Sequence, residues 1–198
     1  MEIKIENAKA ALKTADESVK KVLLALLPEL KETEAQTAAN RPIIERVKTF
    51  EDACRELGED HPFVLAYQNT NLRDPEVAEE NRDILAYMKL RIIAAALNEG
   101  WEPQFTEDEW RWYPWFTLWT EEELSEKSEE WKTYHALRMI GDRYHSDYGG
   151  LASAFSFSAP SNSGAYFGSR LCLKSEALAT YCGTQFIDIW ADFILINR

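Results

Sequence analysis

The sequence predicts an α+β fold: a helical N-terminal region packed on a C-terminal antiparallel hairpin or small sheet, closed by a terminal helix. Three observations carry this. Residues 1–100 are punctuated by helix starts and stops, with apolar residues at helical spacing between them. Residues 110–119 are rich in aromatics and contain Pro114, which argues against helix and for an extended edge segment. Residues 151–158 and 166–174 alternate as strands do, and Ser175 then opens a last helix. With 198 residues, 45% of them hydrophobic, the chain can bury a substantial core and lies outside the low-hydrophobicity class that stays disordered. We read it as one domain, 1–198, with subregion 1–100 helical and subregion 101–198 made of an aromatic strand, a hairpin and a C-terminal helix.

Thr14-Ala15-Asp16-Glu17 has capping-box spacing, so a helix is expected from there to about Leu27, where Pro28 stops it. Thr49-Phe50-Glu51-Asp52 is a near version of the same start, and Gly58 supplies the left-handed residue that closes Phe50–Leu57. Asp74-Pro75 combines an N-cap residue with a proline at the first helical position. From it, Val77, Ile84, Leu85, Met88, Ile92 and Ala95 recur at the period of one long amphipathic helix that ends at Asn98 and Gly100. Thr120-Glu121-Glu122-Glu123 repeats the capping box and opens an acidic helix. Leu151, Phe155 and Phe157 share one face of a strand, Ala159–Gly164 reads as a loop, and Tyr166–Lys174 as the returning strand of a hairpin. The final helix would turn Leu178, Cys182, Phe186, Ile189, Trp190 and Phe193 inward.

Charge narrows the function classes. The net charge is −12, distributed as −5 in residues 1–100, −7 in 101–150 and 0 in 151–198. Such a chain repels a phosphate backbone, so direct nucleic-acid binding is not expected. The apolar runs, Val22–Leu27 and Ile92–Leu97, fall well short of the ~20 residues of a membrane span, and the N-terminus lacks a secretory pattern. Cys54, Cys172 and Cys182 are odd in number and sit in apolar patterns, as reduced core thiols of a cytoplasmic protein would.

Two groups of residues could carry chemistry. Five of the seven tryptophans fall between Trp101 and Trp119. Trp112, Tyr113, Trp115 and Trp119, beside Glu107, Asp108, Glu109 and Glu121, would form a platform for sugar rings or a partner protein if exposed, and core if not. Alternation puts Trp110, Trp112 and Phe116 on one face and Arg111, Tyr113, Trp115 and Trp119 on the other. Arg170, on the polar side of its expected strand, could contact an anionic ligand. The second group is Asp142, His145 and Asp147, with His135 upstream, a set able to hold a divalent metal or share a proton though it matches no established metal spacing. No nucleophile elbow, phosphate-binding loop or cofactor motif is present, so no cofactor is expected, and His61-Pro62 reads as a turn.

The stretches Glu45–Cys54, Leu97–Pro103 and Gly168–Ser175, followed by the helix through Gln185-Phe186, together resemble a family of uncharacterised proteins found in phages and prophage-like regions of gut bacteria. The resemblance runs from about residue 40 to the C-terminus. It implies a phage accessory or structural protein in the cytoplasm of a bacterial host, or on a virion made there, and carries no catalytic residue. The expected function is therefore non-enzymatic, through protein contacts or an aromatic and acidic surface, with a protein as the partner, carbohydrate as the second ligand class, and no membrane. A hydrolase or metal-assisted enzyme built on Asp142 and His145 is one alternative. The other is an acidic decoy of nucleic acid, which needs the acids of 102–130 to line one ridge. The oligomeric state is left open.

Overall fold

The computed structural model describes residues 5–27, 30, 40–104, 106, 108–140, 148–160 and 169–195, the side chains of 5, 6, 13, 154–160 and 169 excepted. Its contacts fall into two units, residues 1–46 and 47–198.

In the first unit, helices α1 (Ile5–Thr14) and α2 (Glu17–Leu26) close a small cluster in which Ala8, Leu12 and Leu30 are buried against Leu23, Leu24 and Leu27. The expected capping box at Thr14 is not the one used. Thr14 ends α1, its hydroxyl donating back to the Ala11 carbonyl at 3.4 Å, and Asp16 caps α2 by accepting from the Ser18 and Val19 amides. An offset of two residues, from Thr14 to Asp16, separates expectation from structure. Leu27 leaves helical geometry, as a residue before proline must. The short α3 (Ile43–Arg46) completes the unit.

The second unit begins with α4 (Phe50–Leu57), whose capping box forms as expected. The Thr49 hydroxyl accepts from the Asp52 amide, and the Asp52 carboxylate accepts from the Thr49 amide. Gly58, at φ +91°, ends it. Helix α5 (Pro62–Gln68) follows, capped by His61, whose Nδ1 accepts from the Phe63 amide. The long helix expected from Asp74 is broken into α6 (Pro75–Ala78) and α7 (Arg82–Asn98). At the break Asn81 leaves helical geometry (φ −113°, ψ 26°) while its side-chain amide donates to the Val77 carbonyl at 2.8 Å, the local competition that asparagine offers a helix. From Leu90 to Asn98, α7 is buried around most of its circumference instead of along one stripe. It is the central post on which α4, α5 and the C-terminal helix pack.

The sheet has three antiparallel strands in the order β1-β3-β2, with β1 at Trp110–Trp119, β2 at Arg138–Met139 and β3 at Gly150–Pro160. Trp110 pairs with Pro160 and Trp119 with Gly150, with a bulge where Ala154 stands between the Trp115 and Phe116 partners. The expected hairpin of 151–158 with 166–174 is corrected: β3 pairs with β1 and β2. Within 169–174, Ser169–Leu171 is a 3-10 turn, and Leu173 alone bridges the outer edge of β1, exchanging both backbone hydrogen bonds with Trp112. Because the Trp112 N–H points to that outer edge, so does the position of the absent Pro114 N–H two residues on, and the proline breaks no rung of the ladder to β3. Ala159 and Pro160, expected in a loop, belong to β3. The rest of that loop lies outside the described residues.

The single expected terminal helix is two, α10 (Glu176–Gln185), capped by Ser175, and α11 (Ile187–Ile194). The turn at Phe186 lets α10 lie on β1 and β3 while α11 packs on α7. Trp190, 1% exposed, and Ala191 are buried there, and Ala191 joins Ile140 and Leu151 in one apolar cluster. The acidic helix opened by Thr120 is short: α8 is Glu121–Ser125, and α9 (Glu129–Tyr134), capped by Ser128, follows it. The α+β class and the small C-terminal sheet stand as expected.

Candidate functional site

Strand β1 does not present one aromatic platform. Arg111 and Tyr113 are 0% exposed, while Pro114, by alternation on the opposite face, is buried against α10, where a Cβ on Gly183 would come within 2.8 Å of the Pro114 Cβ. From Arg111 to Pro114 the strand is thus covered on both faces, as core, whereas Trp110 at its start is 54% exposed. Tyr113 lies beside Cys172. Burial, then the neighbouring Cys172, pushes its hydroxyl up to about 12, with Arg111 opposing. The Cys172 thiol is raised to about 11 by burial, again against Arg111. Trp112 is half-buried and pinned to Leu173, and Trp115 is half-buried. Of the sequence-selected binding residues, Arg170 lines an open cavity and is exposed on the 3-10 turn, whereas Trp119 is half-buried at the end of β1.

At the end of β1, Trp119 meets residues that the strand pattern could not select. Trp131 of α9 packs edge-on against it at 5.2 Å, His135 lies 4.4 Å beyond, and the Lys127 ammonium sits 4.4 Å from the Trp119 ring and 5.2 Å from that of Trp131. His135 is held by β3: its Nδ1 lies 2.6 Å from the Ser153 carbonyl, an acceptor, so the ring proton is on Nδ1, and the Ser153 amide donates to the His135 carbonyl at 2.8 Å. Tyr134, beside His135, is 80% exposed.

The two glycines that open β3 make this arrangement fit. A Cβ on Gly149 would meet the Glu121 side chain at 2.6 Å, and one on Gly150 would meet Leu124 at 2.7 Å and Leu137 at 2.8 Å. Their absence lets α8 and the chain after α9 close on the strand. Between α8, α9 and β2 an open groove of about 530 Å³ remains. Leu124, Leu137 and the half-exposed Met139 supply its apolar lining, and Glu129 and Lys132, paired at 2.7 Å, its rim. Glu121, Glu122, Glu123, Glu126, Glu129 and Glu130, on α8, α9 and the turn between them, are all exposed, and Glu129 lines the groove.

The acids of 102–130 fall in two stretches of the sequence. Those at 102–109 and those at 121–130 flank the ten residues of β1, which separate them by about 30 Å at ~3.3 Å per residue. Asp142, His145, Asp147 and Glu107 lie outside the described residues. Among the described residues no three His, Cys, Asp or Glu side chains gather as metal ligands. Cys54, Cys172 and Cys182 are free thiols, and no described helix is long and apolar enough to cross a membrane.

No family model, curated protein or solved structure matches the chain.

Proposed function

We propose that the chain is a non-enzymatic accessory protein of phage type that works by protein contact, and that the groove between α8, α9 and β2 is its contact face. The observation that carries this is an apolar groove, with Met139 51% exposed, framed by α8 and α9, two short helices that with the turn between them carry six exposed glutamates, of which Glu129 lines the groove and pairs with Lys132. Exposed large apolar side chains edged by one sign of charge suit a partner of the opposite sign. The occupant is therefore a basic protein segment that seats an apolar side chain among Leu124, Leu137 and Met139. The phage setting rests on the sequence resemblance alone.

Carbohydrate fits this face less well. Lys127 already lies against the Trp119 and Trp131 rings on which a sugar would stack. A nucleic-acid decoy would need the acids before and after β1 to line one ridge.

The test uses Met139→Glu and the pair Glu126→Gln, Glu130→Gln, all at exposed positions that leave the fold intact by thermal melt. A bacterial protein retained by wild type should be lost with Met139→Glu and should bind the glutamine pair more weakly, and rising salt should weaken its complex. Equal retention by wild type and both variants, or a complex indifferent to salt, overturns the proposal.

A further inference from the structure

A second cavity, at the opposite end of β1, has the reverse electrostatic character. It holds about 330 Å³ and is lined by Arg91 of α7, Arg170 of the 3-10 turn, His61, Phe63, Trp101 and Asn98, with Glu102 as an acid on the wall. In a chain of net charge −12, two guanidiniums facing one cavity are unusual company. Among the described residues neither has a carboxylate partner.

Each side chain has a defined role in shaping this wall. The Arg91 guanidinium lies 4.0 Å from the centre of the Phe63 ring, and its buried Nε has no acceptor among the described residues. A buried donor left without an acceptor is a standing cost that a bound oxyanion would remove. His61 accepts the Phe63 amide at Nδ1, so its neutral ring carries the proton on Nε2 and adds a donor. The nearby Glu99 is already answered by Lys174 at 2.9 Å, which leaves Glu102 as the acid competing with a ligand on this wall. Asn98 fixes the side on which Arg170 stands: its side-chain amide donates to the Cys172 carbonyl at 2.9 Å and its carbonyl accepts from the Lys174 amide at 3.0 Å. Trp101 adds an aromatic surface beside these donors.

We propose that this cavity binds a small ligand whose oxyanion group sits between Arg91 and Arg170 while its planar ring rests against Trp101. Guanidinium forks match phosphate and carboxylate geometry, and about 330 Å³ is at the small end of the ~300–1,000 Å³ range of ligand sites.

Phenyl phosphate, benzoate, inorganic phosphate and phenol serve as probes, followed by calorimetry and by the fluorescence of the tryptophans, all of which lie in residues 101–190. Phenyl phosphate or benzoate should bind about tenfold or more tightly than either fragment, and whichever of the two binds better identifies the oxyanion. Arg170→Gln, on an exposed turn, should weaken binding about tenfold with an unchanged melt. Arg91→Gln should do the same, and Arg91→Lys should recover part of the loss. Met139→Glu, in the distant groove, should leave it untouched, so failure here and failure of the contact reading are separately visible. No binding of any probe at millimolar concentration overturns the proposal, as does binding indifferent to Arg170→Gln or equal affinity for inorganic phosphate and phenyl phosphate.

Discussion

Replacing Asn98 with alanine should loosen the whole second unit. Asn98 is 6% exposed at the end of α7, and its two bonds tie that helix to residues 172–174, more than seventy positions away in sequence. The alanine variant strands the Cys172 carbonyl, in a residue 1% exposed, at a cost of about 2 kcal/mol. The Lys174 amide, in a half-buried residue that water can reach, costs about 1 kcal/mol more. Alanine's better helix propensity returns roughly 0.5 kcal/mol. The net loss is about 2.5 kcal/mol, which at a urea slope near 2 kcal/mol/M lowers the midpoint by a little over about 1 M. Urea titration followed by tryptophan fluorescence reads this unit alone, because residues 1–46 contain no tryptophan. A midpoint within about 0.3 M of wild type would refute the clamp, since neither stranded group would then have been buried.

Gly183→Ala should destabilise by about 1 kcal/mol: overpacking against Pro114, typically about 1–3 kcal/mol, outweighs the ~1 kcal/mol helix gain, and the thermal melt reads the difference. Thr49→Ala should cost about 1 kcal/mol through the lost cap of α4. Its partner Asp52 is pushed up by partial burial but held lower on balance by bonds from the Thr49 side chain and the Lys48 and Thr49 amides and by Arg55, so its contribution is present above its ordinary pKa of 3.8 and fades as pH falls below it. Stability against pH for wild type and Asp52→Asn should therefore converge in that acid range. Burial raises Cys172 to about 11 and Cys182 to about 12 from an ordinary 9.0, so their contribution is intact below pH 9 and is lost as pH climbs from there toward 12. At pH 8 a thiol reagent should modify Cys54, which is partly exposed, well before Cys172 or Cys182, which should react on unfolding.

Local signals were legible where one turn of chain carries them. The boxes at Thr49 and Thr120, the Ser175 cap, the stop at Gly58 and the extended aromatic segment all follow from neighbouring residues. The breaks at Asn81 and Phe186 were not legible. The first depends on one asparagine side chain choosing a carbonyl four residues back, and the second on α10 and α11 having different surfaces to cover. The candidate sites were legible only in fragments. Trp119 and Arg170 stood out by residue type, but Lys127 and Trp131 join Trp119, and Arg91 and His61 join Arg170, through packing that no spacing along the chain encodes.

By itself, then, the sequence determined the class of the fold, the acidic balance concentrated around residues 101–150 and several helix ends, those at Thr49, Gly58, Pro75, Asn98, Thr120 and Ser175 among them, because each depends on composition or on contacts within a few residues. Tertiary structure alone decided that β3 pairs with β1 rather than with the segment after it, that Tyr113 and Arg111 are core, and that an apolar groove forms between α8, α9 and β2 while Arg91 and Arg170 line a separate cavity. The reason is physical. A strand's alternation names two faces, but which one is covered depends on other elements: here Leu173 and Gly183, about sixty and seventy residues from their partners in β1, and Trp131, twelve beyond its end.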